Sequence, residues 1–293
     1  MKDAARLLAY FATVILFGAL CAPFLCWIAQ WLAARGVFPA LAQFDFESFF
    51  HRAILLGAIL FIWPLLRWLG IKNFRALGLL PNKRWLGDAV VGFLISAMPL
   101  LCCGILLVMC HLYSLRVTVE WTALSTVIAA AAVVPLIEET LFRGLFLGVL
   151  LRSFRPIAAT VLSAGIFSIV HFLKAPGETT TSVNWNSGFV SLVHSFDQFT
   201  DPMLLLGSFT TLFLIGLILA DARNRTRSLW LPIGLHAGWI FANGLFNKIT
   251  RREILALPWV GKSLLVGIVP LSVGLLSWGL LRVWWRYVST RDA

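Results

Sequence analysis

Charge is what this chain lacks. Only 13% of its residues are Asp, Glu, Lys or Arg, and just 13 of 293 are acidic, where a soluble domain carries roughly 25% charged residues. With 60% hydrophobic residues and a mean hydropathy of +0.88, the deficit excludes a soluble globular protein and indicates an integral membrane one. Cysteine is sparse as well. Cys21, Cys26, Cys102, Cys103 and Cys110 all lie in apolar runs, none in a CxxC pair or at ligand spacing from a histidine. That excludes a disulfide framework or a cysteine metal site and leaves buried apolar side chains. There is no HExxH, no internal repeat, no low-complexity tract and no second domain. The first apolar run, 7–34, is too long for a signal-peptide core, and no clear small-x-small site followed by a polar mature start comes after it, so it is expected to be a retained span.

The net charge is +11, which in a soluble protein would raise nucleic acid as a partner. Here the basic residues sit in short loops between apolar runs. They are read as setting orientation and meeting anionic lipid, with no nucleic acid partner.

A span needs about 20 mostly apolar residues. Eight runs qualify: 7–34, 53–70, 88–110, 122–144 or a little beyond, 156–174, 203–220, 229–247 and 263–284. The expected fold is therefore all-α, a polytopic membrane helix bundle of about eight helices. It divides into three spans over 1–121, four over 122–247, and a last span and tail over 248–293. With the N-terminus inside, fifteen Lys and Arg fall on the cytoplasmic side and eight outside, with Arg143 within the membrane. This bias predicts cytoplasmic termini, although Lys248, Arg251 and Arg252 argue the other way. Residues 35–52, with Phe44, Phe46, Phe49 and Phe50, predict a segment lying in the interface. In 175–202, Phe189, Leu192, Val193, Phe196 and Phe199 recur at helical spacing and predict a short amphipathic helix against the membrane.

Against this background one stretch stands out: Val134-Pro135-Leu136-Ile137-Glu138-Glu139-Thr140-Leu141-Phe142-Arg143-Gly144. Ionisable groups in a bilayer cost several kcal/mol unless paired or facing water, so they point to function. On a helix Glu139 and Arg143 are four apart and share a face. Glu138 is turned about 100° away and is free to meet another neighbour. His171 and His236 lie in other spans, and imidazole with carboxylate is a common combination for activating water or for holding zinc. If the fourth and fifth spans are antiparallel neighbours, Glu138 and His171 sit at similar depth, each ~20 Å from the connecting loop. His236 is only ~10 Å from its own span's start, a disagreement of about two turns. The bland alternative is a buried ion cluster that only joins helices. His51, His111 and His194 receive no catalytic role. Gly144-x-x-x-Gly148 reads as close helix packing.

Glu138-Glu139-x-x-x-Arg143, Phe167-x-x-x-His171, and Arg225-x-x-Ser228-Leu229-Trp230 leading to His236-Ala237-Gly238-Trp239, in that order on separate apolar helices, resemble the CPBP intramembrane protease family. That family includes type 2 CAAX prenyl endopeptidases and bacterial Abi or lysostaphin-resistance-like proteins. The resemblance covers roughly 122–247, which it marks as the catalytic core. It implies an intramembrane endopeptidase of a bacterial-type plasma membrane, cleaving a membrane-associated, CAAX-type prenylated or other, protein or peptide. Glu138 would activate water with His171, His236 would stabilise the oxyanion, and Glu139 and Arg143 would orient and neutralise. The family commonly has Asn four residues after this His; here it is Ile240, and Asn243 is the substitute candidate, ~10 Å further along the helix. Two His and two Glu could bind zinc, through Glu138, His171 and His236, but a metal-free Glu–His mechanism is favoured. Two competing readings remain: a catalytically weak membrane scaffold or bacteriocin-immunity-type protein, motivated by Ile240, and a proton-coupled transporter, disfavoured by the missing repeat.

Overall fold

The computed structural model describes residues 2–71, 77–119, 121–172, 182–254, 258–261 and 263–289. The elements follow one another as α1 (Lys2–Ala34), a 3-10 turn (Pro39–Gln43), α2 (Phe46–Trp68), α3 (Trp85–Met109), β1 (Tyr113–Leu115) and α4 (Thr122–Glu139). A π-helical turn (Thr140–Phe146) joins α4 to α5 (Leu147–Leu151), followed by α6 (Pro156–Phe172), α7 (Ser187–His194) and a second 3-10 turn (Asp197–Thr200). The chain ends with α8 (Pro202–Leu204), another π turn (Leu205–Phe209), α9 (Thr210–Thr226), α10 (Trp230–Ile249), β2 (Thr250–Arg252) and α11 (Ile268–Ser289). The all-α polytopic membrane architecture expected from composition is therefore present.

Among the described residues, six helical stretches rather than eight are long and apolar enough to cross a membrane by themselves. The two remaining expected spans are helices of a different kind. α6 has 17 residues, or ~26 Å. α10 carries His236, Asn243, Asn247 and Lys248 and buries Leu231 through His236 without a break, so it is an interior helix with little lipid-facing surface.

Residues 1–72 with 173–201 form one compact unit. In it α1 packs on α2 through Ala19, Ala22, Cys26 and Ala29 against Phe46, Phe49, Phe50 and Ala53. The interfacial segment expected over 35–52 is corrected here. Asp45 caps α2 by accepting from the Ser48 amide at 3.0 Å, so the helix starts at Phe46 and turns three of the four phenylalanines into its core. Hydrogen bonding from the Ser48 side chain, with a smaller part from its amide, holds the Asp45 carboxyl below its ordinary range. The amphipathic helix expected within 175–202 is α7, shorter than predicted. Its Phe189 and Leu192 pack on the α1–α2 core, while Val193 and Phe196 are exposed. The polar start of that connection, 173–181, lies outside the described residues, as do Lys72, Arg75, Lys174, Lys262 and Arg291 of the charge comparison.

Residues 73–172 with 202–293 form the second unit. α10 runs through its middle, packed on α3, α4 and α9, while α6 packs on α9 and α11 on α3 and α9. The α3–α10 contact is the closest. A Cβ on Gly234 would collide with the Ala89 carbonyl, and one on Gly238 with the Ser96 hydroxyl and the Phe93 carbonyl. Small residues that let two backbones approach are the usual device for helix packing in lipid. A two-stranded antiparallel ribbon pairs Tyr113 with Arg252 and Leu115 with Thr250; no sequence pattern announced it. The buried Tyr113 hydroxyl donates to the Gly261 carbonyl at 2.9 Å. Its burial pushes the phenol pKa up.

Candidate active site

Three elements of the second unit supply the site. Glu138 and Glu139 end α4, His171 closes α6, and His236 lies one third of the way along α10. His236 sits between Gly234 and Gly238, so the glycines that allow the α3 contact also fix the height of the imidazole. The two-turn depth disagreement disappears for a local reason. Arg227 adopts a left-handed conformation (φ 53°) at the end of α9, and the chain turns inward at once. Leu229 is fully buried and its amide donates to the Gly78 carbonyl at 3.0 Å. α10 thus begins buried in the protein. The π turn after Glu139, with its i→i+5 bonding, also packs more residues per turn than the α-helix assumed for the span.

The four groups meet around one carboxylate. Glu138 Oε2 lies 3.0 Å from His171 Nε2 and 3.8 Å from His236 Nε2. Glu139 Oε1 accepts from His236 Nδ1 at 2.8 Å and from Arg143 Nη1 at 3.0 Å. Arg143 Nη2 reaches the Gly216 carbonyl at 3.4 Å. The ion pair expected between Glu139 and Arg143 is formed despite the π turn between them, and Glu138 faces a different neighbour, as the helix phase required.

Exposure divides the cluster. The side chains of Glu139 and Arg143 are 0% exposed, whereas those of Glu138 and His171 are 25% and 26% exposed. One carboxylate is sealed with its counter-charge, and the other is reachable.

Hydrogen-bond partners assign the imidazole protons. The Phe167 carbonyl, 2.8 Å from His171 Nδ1, can only accept, so Nδ1 carries a proton and Nε2 faces Glu138. A single proton is shared between Nε2 and Oε2. Glu139, ionised against Arg143, likewise accepts from His236 Nδ1, which leaves His236 Nε2 directed toward Glu138. Phe167 organises the rings. Its centroid is 4.1 Å from that of His171 and 6.1 Å from that of His236, and Arg143 Cζ lies 4.3 Å over its face. The Phe167-x-x-x-His171 spacing placed these two residues on one face, but nothing in the sequence gave Phe167 this role, nor Gly216 its own.

Asn243 is engaged elsewhere. Its Oδ1 accepts from the Leu264 amide at 3.1 Å and from Asn247 Nδ2 at 3.4 Å. Ile240 occupies the position one turn after His236. Of the histidines given no role, His194 pairs with Asp197 at 2.8 Å on an exposed surface. Gly144 does make the expected close contact, near the Leu77 carbonyl, whereas Gly148 faces open space.

The donor types at the site suit zinc: two imidazoles presenting Nε2 with Nδ1 tied to acceptors, as metal-bound histidines are, and one carboxylate. Among the described residues, however, no group of three or more His, Cys, Asp and Glu side chains is arranged to hold a metal ion. The 3.0 Å Glu138–His171 contact is a hydrogen-bond distance.

With this geometry in view, residues 120–242 match a family model described as Type II CAAX prenyl endopeptidase Rce1-like. The match takes in Glu138, Glu139, Arg143, Phe167, His171 and His236, and ends before Asn243. It bears out the resemblance to the CPBP and CAAX protease family that the motifs carry, and at family level it indicates a membrane-embedded protease. No curated protein and no solved structure matches the chain.

Proposed function

We propose that the chain is an intramembrane endopeptidase that hydrolyses a peptide bond of a membrane-associated protein or peptide, with a CAAX-type prenylated C-terminus as the substrate class the family match favours. The observation that carries the reading is the convergence of His171 and His236 on one partly exposed oxygen of Glu138.

In this mechanism water binds at the uncovered edge of Glu138 and His171. The Glu138 carboxylate takes a water proton as the oxygen attacks the carbonyl carbon. The resulting oxyanion needs a donor. His236 already gives Nδ1–H to Glu139, so it donates from Nε2 only when that nitrogen is protonated too, and the Glu139 carboxylate at 2.8 Å supports the imidazolium. The proton held between Glu138 and His171 then passes to the leaving amine as the C–N bond breaks, giving a carboxyl and an amine product. Arg143 holds the Glu139 side chain in place throughout. Were zinc bound, Glu138, His171 and His236 would hold it and it would supply a polarised water; the steps above use the chain's own groups. The basic-residue bias supports cytoplasmic termini and the family resemblance a bacterial-type plasma membrane, with lipid and the substrate as partners.

The test is hydrolysis of a prenylated and an unprenylated peptide by the purified protein. Glu138→Ala, His171→Ala and His236→Ala should each lower the rate by at least about 100-fold. Wild-type rates in all three would end the assignment.

One observation favours a second reading, a catalytically slow scaffold. Asn243 is bound to the loop at Leu264 and Ile240 offers no donor, so His236 is left as the one oxyanion donor assigned. Full biological activity of Glu138→Gln in cells would select this reading over the protease.

A further inference from the structure

A polar cavity lies in the same unit as the Glu/His cluster. It encloses about 290 Å³ between the helix running on from the π turn, which contributes Arg143 and Gly148, and the end of α9, which contributes Arg223, Asn224 and Arg227. Two leucines complete the lining, and no lining residue is acidic. The nearby carboxylate on α9, Asp221, is already engaged. It accepts from Arg225 at 2.9 Å and from the Trp278 indole at 2.8 Å, and Arg282 lies 3.7 Å away. Of the three cavity arginines only Arg143 has an acidic partner among the described residues.

Two donors of these arginines are orphaned. The Nε of Arg143, a side chain that is wholly buried, and the Nε of Arg223 are both buried with no hydrogen-bond partner among the described residues. A buried cationic donor without an acceptor is costly. Neither Nε is open to the cavity; its accessible polar surface comes from Arg223, Asn224 and Arg227, a cationic lining with no carboxylate to neutralise it.

We propose that this cavity is an anion site that takes a phosphate group, presented in the bilayer by the headgroup of an anionic phospholipid. Planar guanidinium forks match phosphate oxygens in pairs. The cavity lies where α5 and α9 end, near Arg152 and Arg155 of the loop after α5 and Arg225 in the last turn of α9, on the side the basic bias assigns to the cytoplasm. Anionic headgroups meet basic clusters on that side. Arg143 connects the cavity to the hydrolytic cluster, since its Nη1 holds Glu139 and Glu139 holds His236 Nδ1. The site stands on its own geometry, whether or not the chain hydrolyses peptides.

The test measures binding. Purified full-length protein in detergent is titrated with phosphatidylglycerol, phosphatidylcholine and inorganic phosphate, and bound lipid is read by native mass spectrometry. Phosphatidylglycerol should bind at least tenfold more tightly than phosphatidylcholine. Arg223→Gln with Arg227→Gln should weaken it about 100-fold, roughly tenfold for each charged donor lost, and Lys at both positions should restore most of the binding. Gly148→Leu keeps all three arginines, and its side chain enters open space; it should exclude the lipid while the ligand-free melting temperature is kept. Displacement of phosphatidylglycerol by inorganic phosphate would identify a site that also takes free phosphate, and failure to displace it would identify the headgroup as the source; each supports the proposal. Equal binding of the two lipids, or wild-type binding by both the Gln pair and Gly148→Leu, overturns it. So does arginine-dependent binding of a peptide with a free C-terminal carboxylate, but not its amide, in the absence of any phosphate binding.

Discussion

Replacing Glu139 by Gln and Arg143 by Met, singly and together, tests how the sealed half of the cluster is held. Both side chains are 0% exposed. In Glu139→Gln the Arg143 guanidinium keeps neutral partners, the Gln carbonyl, the Gly216 carbonyl at 3.4 Å and the Phe167 face, but loses its bonded carboxylate, so a charge is left buried without a bonded counter-charge. That should cost about 3–5 kcal/mol. Arg143→Met strands the Glu139 carboxylate with His236 as its one donor, at a similar cost. If the two losses simply added, the double variant would lose about 6–10 kcal/mol, enough to unfold a protein whose whole stability is about 5–15 kcal/mol. The geometry predicts otherwise. In the double variant no charge is stranded, and the Gln carbonyl can still accept from His236 Nδ1. The remaining cost is that of the unpaired buried amide donors, about 1–3 kcal/mol, less than for either single variant. Unfolding of the purified proteins by SDS in mixed micelles, followed through the fluorescence of the 13 tryptophans, measures all four corners of the cycle. A double variant that loses the sum of the two singles would refute the coupling, and with it the view that Arg143 is there to neutralise Glu139.

Three other outcomes are expected. Gly238→Ala, whose Cβ meets the Ser96 hydroxyl and the Phe93 carbonyl, should destabilise by about 1–3 kcal/mol, while Gly165→Ala, open on its Cβ side, should gain about 0.5–1 kcal/mol from helix propensity; melting temperatures in detergent should move in opposite directions. Phe167→Leu keeps the apolar volume but removes the ring beside His171 and beneath Arg143, and should lower kcat about tenfold or more with a smaller change in KM, since one turn of ring orientation is lost without any substrate contact. An unchanged kcat would deny Phe167 its positioning role. Finally, EDTA dialysis followed by metal analysis of the protein should leave hydrolysis within about twofold of its starting rate; loss of activity with recovery on adding zinc would replace the Glu–His water activation by a metal-bound one.

Much of this protein is written along the chain. Apolar runs of spanning length, scarce charge and basic loops determined an all-α membrane protein, because lipid leaves the backbone no alternative to satisfying its own hydrogen bonds within helices. The i,i+4 spacing of Glu139 and Arg143 determined their pairing, and the turn of about 100° between neighbours on a helix determined that Glu138 would look elsewhere. These are local facts, fixed by helix geometry over a few residues. Other features depended on where separate helices pass one another. Only the packed structure set α10 inside the protein, started it below the surface through the left-handed turn at Arg227, and so brought His236 to within 3.8 Å of Glu138. Only packing turned Phe46, Phe49 and Phe50 into a core when their composition suggested an interface, committed Asn243 to the loop at Leu264, and grouped Arg143, Arg223 and Arg227 around one cavity. Residues far apart in sequence carry no local signature of their separation in space. Glycine contacts between α3 and α10, and the choice of which charge is sealed and which left open, were decided by the assembled helices alone.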